Sequence, residues 1–137
     1  MELLEKAQQV FSGDRFATEL AGVAIQSVGS HEAVCTMTVD ARHCNARSVA
    51  MGGALFTLAD FTAAVAANTD HLTDGTDLQW VSLDANAHFL APAQQGERLE
   101  ATATAVRHGR AVALYRVDIK KDSGKLVATV EFTMVRA

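Results

Sequence analysis

"MGGALFTLADFTAAVAAN", residues 51–68, contains one charged side chain, Asp60. From Ala54 to Ala67 nearly every other position is apolar or small, and no proline interrupts the run. The stretch predicts a helix over about 52–67, closed by the polar, turn-rich "NTDHLTDGTD" of residues 68–77. A helix that is apolar nearly all round must be covered on most of its sides. What covers it decides the fold.

The flanking segments supply strands. Residues 16–28 and 31–40 read as two strands joined at "GSH". Beyond the helix, "WVSLDANAHFL" alternates, with Val81, Leu83, Ala85, Ala87 and Phe89 on one face and Ser82, Asp84, Asn86 and His88 on the other. "RLEATATAV" alternates again. In "AVALYRVDIK", Tyr115, Val117 and Ile119 oppose Arg116, Asp118 and Lys120; in "LVATVEFTMV", Leu126, Ala128, Val130, Phe132 and Met134 share a face. "MELLEKAQQVF" predicts a short amphipathic helix over 2–11, and "ARHCNARSVA" reads as a loop. One long helix among six strands lacks the helix–strand alternation of a doubly wound sheet, and the short joins favour antiparallel neighbours. The order predicts an α+β fold in which a curled antiparallel sheet wraps one central helix.

Bulk properties narrow the function. The chain has 137 residues, 49% of them hydrophobic and 20% charged, which suits one domain over 1–137 with a core that needs no disulfide. The net charge is −4 and the basic residues are scattered, so no nucleic-acid partner is expected. The N-terminal segment is too charged for a signal peptide and no apolar run spans a bilayer, so no membrane is expected and the cytoplasm is the default location. Of the two cysteines, Cys35 falls in a strand and predicts a buried thiol, whereas Cys44 falls in the loop beside His43. The five histidines show no ligand spacing such as His-x-x-x-His, so no metal is expected.

Asp60 carries the chemistry. Aspartate is a poor helix-interior residue, and an unpartnered carboxylate is costly to bury. The positions three and four residues away are Phe56, Thr57, Ala63 and Ala64, none of them a cation. Either Asp60 emerges at a helix edge into solvent, or it is a base or nucleophile in a poorly solvated site that raises its pKa. Gly52 and Gly53 at the helix start serve either close packing or the reception of a negative oxygen by free N–H groups. Gly52 and Asp60 are separated by about 12 Å along the axis at ~1.5 Å per residue. Both cannot sit within about 3 Å of one carbonyl, so a shared reaction requires two chains about a two-fold axis.

"NARSVAMGGALFTLAD" resembles the pattern Asn-x-x-Gly-x-x-His-Gly-Gly followed by an apolar run to Leu-Ala-Asp. That pattern belongs to the hotdog-fold acyl-CoA thioesterases of the phenylacetate-pathway type. The likeness continues through "VSLDANAHFLAPAQQGERLEATATAVRHGR" and "GKLVATVEFTMV", covering about residues 16–135. It implies hydrolysis of an acyl-CoA thioester, with coenzyme A arriving as part of the substrate and no further cofactor. It also implies a homodimer, which in many relatives pairs into a homotetramer. Asn45 and the Gly52 N–H would polarise the carbonyl from one subunit, Asp60 of the other would attack it or activate a water, and Ser82 would orient the water or the carboxylate. His108, Gly109 and Arg110 would lie near the nucleotide phosphates, although an ordinary hairpin explains that turn almost as well. Gly53, Phe56 and His88 are further substrate-side candidates, His88 because it shares the alternation face of Ser82. The sequence departs from the pattern at Ser48, where the loop glycine is expected, and at Met51, where histidine is expected. Met51 removes a polar contact beside the carbonyl, which points to altered preference or rate. Two other readings stay open: a module that only binds acyl thioesters, and a hydratase acting on enoyl-CoA.

Overall fold

The computed structural model describes residues 1–137. The expected 52–67 helix is α2, Gly52–Ala67, preceded by α1, Leu3–Phe11, and followed by a short α3, Thr69–Asp74. Around them run β1 (Ala24–Gly29), β2 (Glu32–Thr38), β3 (Trp80–Phe89), β4 (Arg98–His108), β5 (Val112–Lys121) and β6 (Leu126–Arg136). The six strands form one antiparallel sheet in the order β1-β2-β4-β5-β6-β3. The sheet curls so that all six strands contact α2, which is the expected hotdog architecture.

The physical basis is reciprocal burial. Leu55, Leu58, Ala59, Phe61, Ala63, Val65, Ala66 and Ala67 of α2 are buried against the inward faces of the sheet. Those faces carry Leu99, Ala101 and Ala103 from β4, Tyr115, Val117 and Ile119 from β5, and Ala128, Val130, Phe132 and Met134 from β6. Alanine dominates the C-terminal half of α2 (Ala63, Ala64, Ala66 and Ala67), which lets neighbouring elements approach its axis closely, while Leu55, Leu58 and Phe61 fill the core from the first half and the middle. Cys35 is fully buried in β2, where desolvation pushes its thiol up to about 11 and keeps it inert.

Three local expectations are corrected. Residues 16–20 are not strand but a π-helical turn, Phe16–Leu20, and β1 begins only at Ala24. The reason is visible in the spacing, since Phe16, Ala17, Leu20 and Ala21 recur as helical neighbours, and alternation starts at Val23. The segment after α2 is not only turn. Asn68, 2% exposed, donates from Nδ2 to the Ala64 and Trp80 carbonyls and accepts at Oδ1 from the Gln79 and Trp80 N–H groups. This one amide ends α2 and fixes the start of β3, which lets α3 form in the excursion between them.

The third correction concerns faces. β3 carries a bulge at Leu83, because Ser82 pairs with Met134 but Asp84 pairs with Thr133. An extra residue in one strand reverses the alternation beyond it. Cross-strand partners share a face, so Ser82 (opposite buried Met134) points inward together with Ala85, Ala87 and Phe89, opposite Phe132, Val130 and Ala128. Val81, Asp84, Asn86 and His88 point outward, opposite Val135, Thr133, Glu131 and Thr129.

Candidate functional site

Asp60 lies on the side of α2 that the sheet leaves open, and its carboxyl is exposed in the single chain. Ser82 Oγ donates to Asp60 Oδ1 at 3.3 Å, and the same hydroxyl lies 3.4 Å from Met134 Sδ. The bulge at Leu83 is what allows this, since it puts an inward hydroxyl and an inward apolar run on one strand. Around Asp60 is a cavity of about 330 Å³ lined by Asp14, Phe16, Phe56, Phe61 and Ala64. Desolvation by these groups raises the Asp60 pKa above the ordinary carboxylate value; the Ser82 hydrogen bond pulls it down, and the Asp14 charge adds to the rise. Asp14 is itself raised by desolvation. The cavity also receives Arg15, but that guanidinium is committed to Glu19, with three N–H···O contacts of 3.0–3.1 Å. Asp60 therefore has a hydroxyl donor and a neighbouring acid, with no free cation to hold it ionised. Along the helix the acid has no cation three or four residues away; in space Arg15 lines the same cavity but is paired with Glu19.

The start of α2 builds a second, separate cavity. Asn45, Ala50, Gly52, Leu55, Phe89, Leu90 and Pro92 line about 350 Å³. Met51 is the N-cap, and its side chain makes no capping bond. None of the loop, cap or side-chain hydrogen bonds uses the Gly52 N–H, which leaves this first helical donor free. A Cβ on Gly52 would meet Phe89 Cζ at 3.2 Å, so glycine there also satisfies close packing against β3. Asn45 Oδ1 accepts from the Arg47 and Val49 N–H groups at 2.9 and 3.4 Å, which turns its carbonyl into the loop and leaves Nδ2 for an outside acceptor. Ser48 takes φ +64, the conformation for which the expected glycine is suited.

The loop holding Asn45 is tied down by His43, which is 4% exposed. Its Nδ1 accepts from the Asp40 N–H, so the proton is on Nε2, which donates to the Ala21 carbonyl at 2.7 Å. The His43 carbonyl accepts from the Met51 N–H at 2.9 Å, setting the entry to α2. Met51 and Gly53 then line a mostly apolar cavity of about 490 Å³ with Phe16, Leu20, Ala54 and Thr57. Cys44 is half-buried, with Sγ 3.4 Å from the Asp40 carbonyl.

Two other candidates lie elsewhere. His88 is on the outer face of β3, within 3.4 Å of Asn86, beside Arg116, Thr129 and Glu131. The expected shared face with Ser82 is lost to the bulge, and His88 is removed from the Asp60 site. His108 is turned into the chain, where Nδ1 meets Tyr115 Oη at 2.7 Å and the ring stacks on His31 at 3.8 Å. Desolvation lowers its pKa, and the His31 charge lowers it further. Gly109 is required by the hairpin, since a Cβ would sit 2.6 Å from the Val112 carbonyl oxygen. Arg110 is the exposed cation of that turn.

Asp14, Phe16 and His43 escape the sequence reading. Asp14 falls in the "SGD" break after the first helix and Phe16 at the start of a segment read as strand, whereas both line the cavity over α2, Phe16 from the π-helical turn. His43 has no motif to mark it; its capping exchange with Asp40 could have been sought from the Asp-x-x-His spacing.

The Thioesterase superfamily model matches residues 48–128. The acyl-coenzyme A thioesterase PaaI of Escherichia coli K12 is 33% identical over 90% of this chain and 84% of its own. The solved E. coli PaaI protein from the phenylacetic acid degradation operon superposes with a TM-score of 0.85, 29% identity and 99% and 96% of the two chains covered. Zebrafish thioesterase superfamily member 2 gives 0.86 at 27% identity, with both chains fully covered. A hypothetical thioesterase of Streptococcus pneumoniae, solved with coenzyme A, gives 0.81 at 25% identity over 95% and 96%.

Proposed function

The chain belongs to the thioesterase superfamily as a PaaI-like hotdog thioester hydrolase, and from that premise we propose that it cleaves aryl- or short- to medium-chain acyl-CoA thioesters at sites completed by a second copy of itself. The observation that carries this reading is the division of labour within one chain. Asp60, bonded by Ser82, lines one cavity, and Gly52 and Asn45 line another. Thioester hydrolysis needs a nucleophile or base and an oxyanion donor at one carbonyl. A two-fold-related copy brings the two halves together twice.

The uncovered surface suits such a partner. β3 is an edge strand whose Val81, Leu83 and Phe89 are exposed, and Phe16, Leu20 and Met51 stand exposed around the open side of α2. A long apolar edge with free backbone groups is a template for pairing. In the proposed dimer, Gly52 N–H and Asn45 Nδ2 of one protomer receive the carbonyl oxygen. Asp60 of the other, oriented by Ser82, takes a proton from the attacking water and passes it to the departing sulfur, or attacks the carbonyl carbon to form a mixed anhydride that water then hydrolyses to the acid, supplying the proton. CoA leaves as the thiol. Phe56 and Phe16 line the acyl side near Asp60, and Met51 and Gly53 line the apolar cavity beside it. In this reading Arg110, exposed on its turn, would meet the nucleotide phosphates, while His108 is withdrawn into the chain. Dimers pairing further into a tetramer belong to the same proposal, and sedimentation mass reads both states. The reaction needs no cofactor beyond the CoA of its substrate. No helix is long and apolar enough to cross a membrane, and the cytoplasmic location remains part of the proposal.

Release of free CoA from a panel of aryl-, short- and medium-chain acyl-CoA substrates tests the activity. Turnover of at least one class is expected. Tight binding across the panel without hydrolysis would favour the binding-only alternative, and hydration of a crotonyl-type thioester would favour the hydratase.

A pH profile tests the environment of Asp60. Burial and Asp14 raise its pKa, and the ionised form is the active one, so the acidic limb of kcat/KM is expected above the ordinary aspartate range. Asp14→Asn removes the like charge and is expected to move that limb toward lower pH. An acidic limb that stays in place in Asp14→Asn would contradict the coupling.

A further inference from the structure

We propose that His31, Asp70 and His108 form a binding site for one borderline divalent cation of the Zn²⁺ class, separate from the hydrolytic residues. The three come from distant parts of the sequence. His31 is at the tip of the β1–β2 hairpin, Asp70 is on α3, and His108 is the last residue of β4. One ligand atom from each lies within 4.8 Å of the other two. Two imidazoles and one carboxylate form a donor set that suits zinc and its neighbours, and it disfavours Mg²⁺ and Ca²⁺, which prefer oxygen.

The two histidines are held from outside the cluster. His108 Nδ1 is occupied by the hydroxyl of fully buried Tyr115, and Nε2 makes no hydrogen bond within the chain. A ligating histidine ordinarily has this arrangement, with one ring nitrogen fixed by an outer partner and the other left for the metal. Trp80 walls the same ring, with centroids 4.7 Å apart. His31 takes φ +55, rare for a residue with a Cβ, and its N–H is anchored to Thr69 Oγ1 at 2.9 Å. Its Nε2 lies 2.8 Å from Asp70 Oδ2. The side chains of His31 and Asp70 are 27% and 59% exposed, so an ion has an entry path from solvent.

One rearrangement is required. Tetrahedral zinc with bonds of about 2.0–2.2 Å places its ligand atoms roughly 3.3–3.6 Å apart. The His31 and His108 rings stack nearly parallel, at 13°, so their in-plane lone pairs do not converge. Binding turns His31 out of the stack and replaces its hydrogen bond to Asp70 with coordination by both. The ion then ties the hairpin tip, α3 and the end of β4 together. Asp70 follows the C-terminal end of α2, which at ~1.5 Å per residue lies about 24 Å from Gly52.

Calorimetric titration of the chelator-stripped chain with ZnCl₂, with Co²⁺ absorption as a coordination signature, tests the site. One ion per chain, a raised Tm and a visible Co²⁺ band are expected. His31→Ala and Asp70→Asn, both at solvent-reaching positions, are each expected to weaken binding by at least about 10-fold, the smaller loss seen when only an outer partner is removed. Absence of both heat and Tm shift with Zn²⁺ in excess would overturn the proposal. So would binding as tight as the parent's in both variants, which would place the ion on other side chains.

Discussion

Asp60→Asn is expected to reduce kcat by about 10³-fold or more while the chain stays folded and dimeric, since a positioned base or nucleophile is worth at least 10²–10⁴-fold. The substitution preserves the shape of the side chain and still leaves an oxygen to accept from Ser82 Oγ, now 3.3 Å from Asp60 Oδ1. It removes only the charge and the basic lone pair. Stability should not fall with activity. Desolvation raises the Asp60 pKa in the folded chain above its unfolded value, so folding favours the protonated acid. The sign follows: this group's stabilising contribution is present below the unfolded pKa and is lost as pH rises through the folded one. Asp60 is exposed in the single chain, so solvent screens this contribution, and asparagine is expected to leave stability at least at the parent's level. A Tm at or above that of the parent, with hydrolysis lost, is the expected pair of results. Unchanged turnover would contradict the role of Asp60.

Gly52→Pro is expected to cost about 10²–10³-fold in kcat, the loss typical of one oxyanion donor. Gly52 is the first helical residue after Met51, and proline is tolerated there because no intrahelical bond uses that N–H. The variant deletes the donor without breaking the helix. It also adds a Cβ 3.2 Å from the Phe89 ring, so Gly52→Ala is the control that adds the same carbon and keeps the N–H. Alanine is expected to retain most of the activity, once Phe89 has given way by a few tenths of an ångström. Equal losses in the two variants would assign Gly52 to packing alone.

Much of this was legible because it is local. The central helix follows from a run of apolar and small residues with one acid, and β4, β5 and β6 follow from alternation; the one miss is Leu126, which pairs with Lys120 across a register shift while Val127 is buried in its place. What misled was also local but invisible to a fixed period. The bulge at Leu83 leaves the composition of β3 unchanged while exchanging the faces beyond it, so Ser82 kept its expected contact and His88 lost it. In 16–20, apolar spacing suits a helical turn as well as a strand, and the choice placed Asp14 and Phe16 over Asp60. The remaining features depend on chain reversal. His31, Asp70 and His108 are separated by tens of residues, and no spacing rule joins them. The separation of Asp60 from Gly52, by contrast, is set by helix rise alone, and the two cavities of the single chain agree with it.

The most direct test of the shared site is subunit mixing between Gly52→Pro and Asp60→Asn, each nearly inactive by itself. In a hybrid dimer one site would carry both lesions and the other neither. Random mixing makes half the dimers hybrid, so recovery of about one quarter of the parent activity is expected for two equivalent sites on a two-fold axis. Co-expression with two affinity tags isolates the hybrid, whose activity should then reach about half. A hybrid that remains as inactive as its two parents would place Gly52 and Asp60 of the same chain at each site and contradict a site built from two subunits.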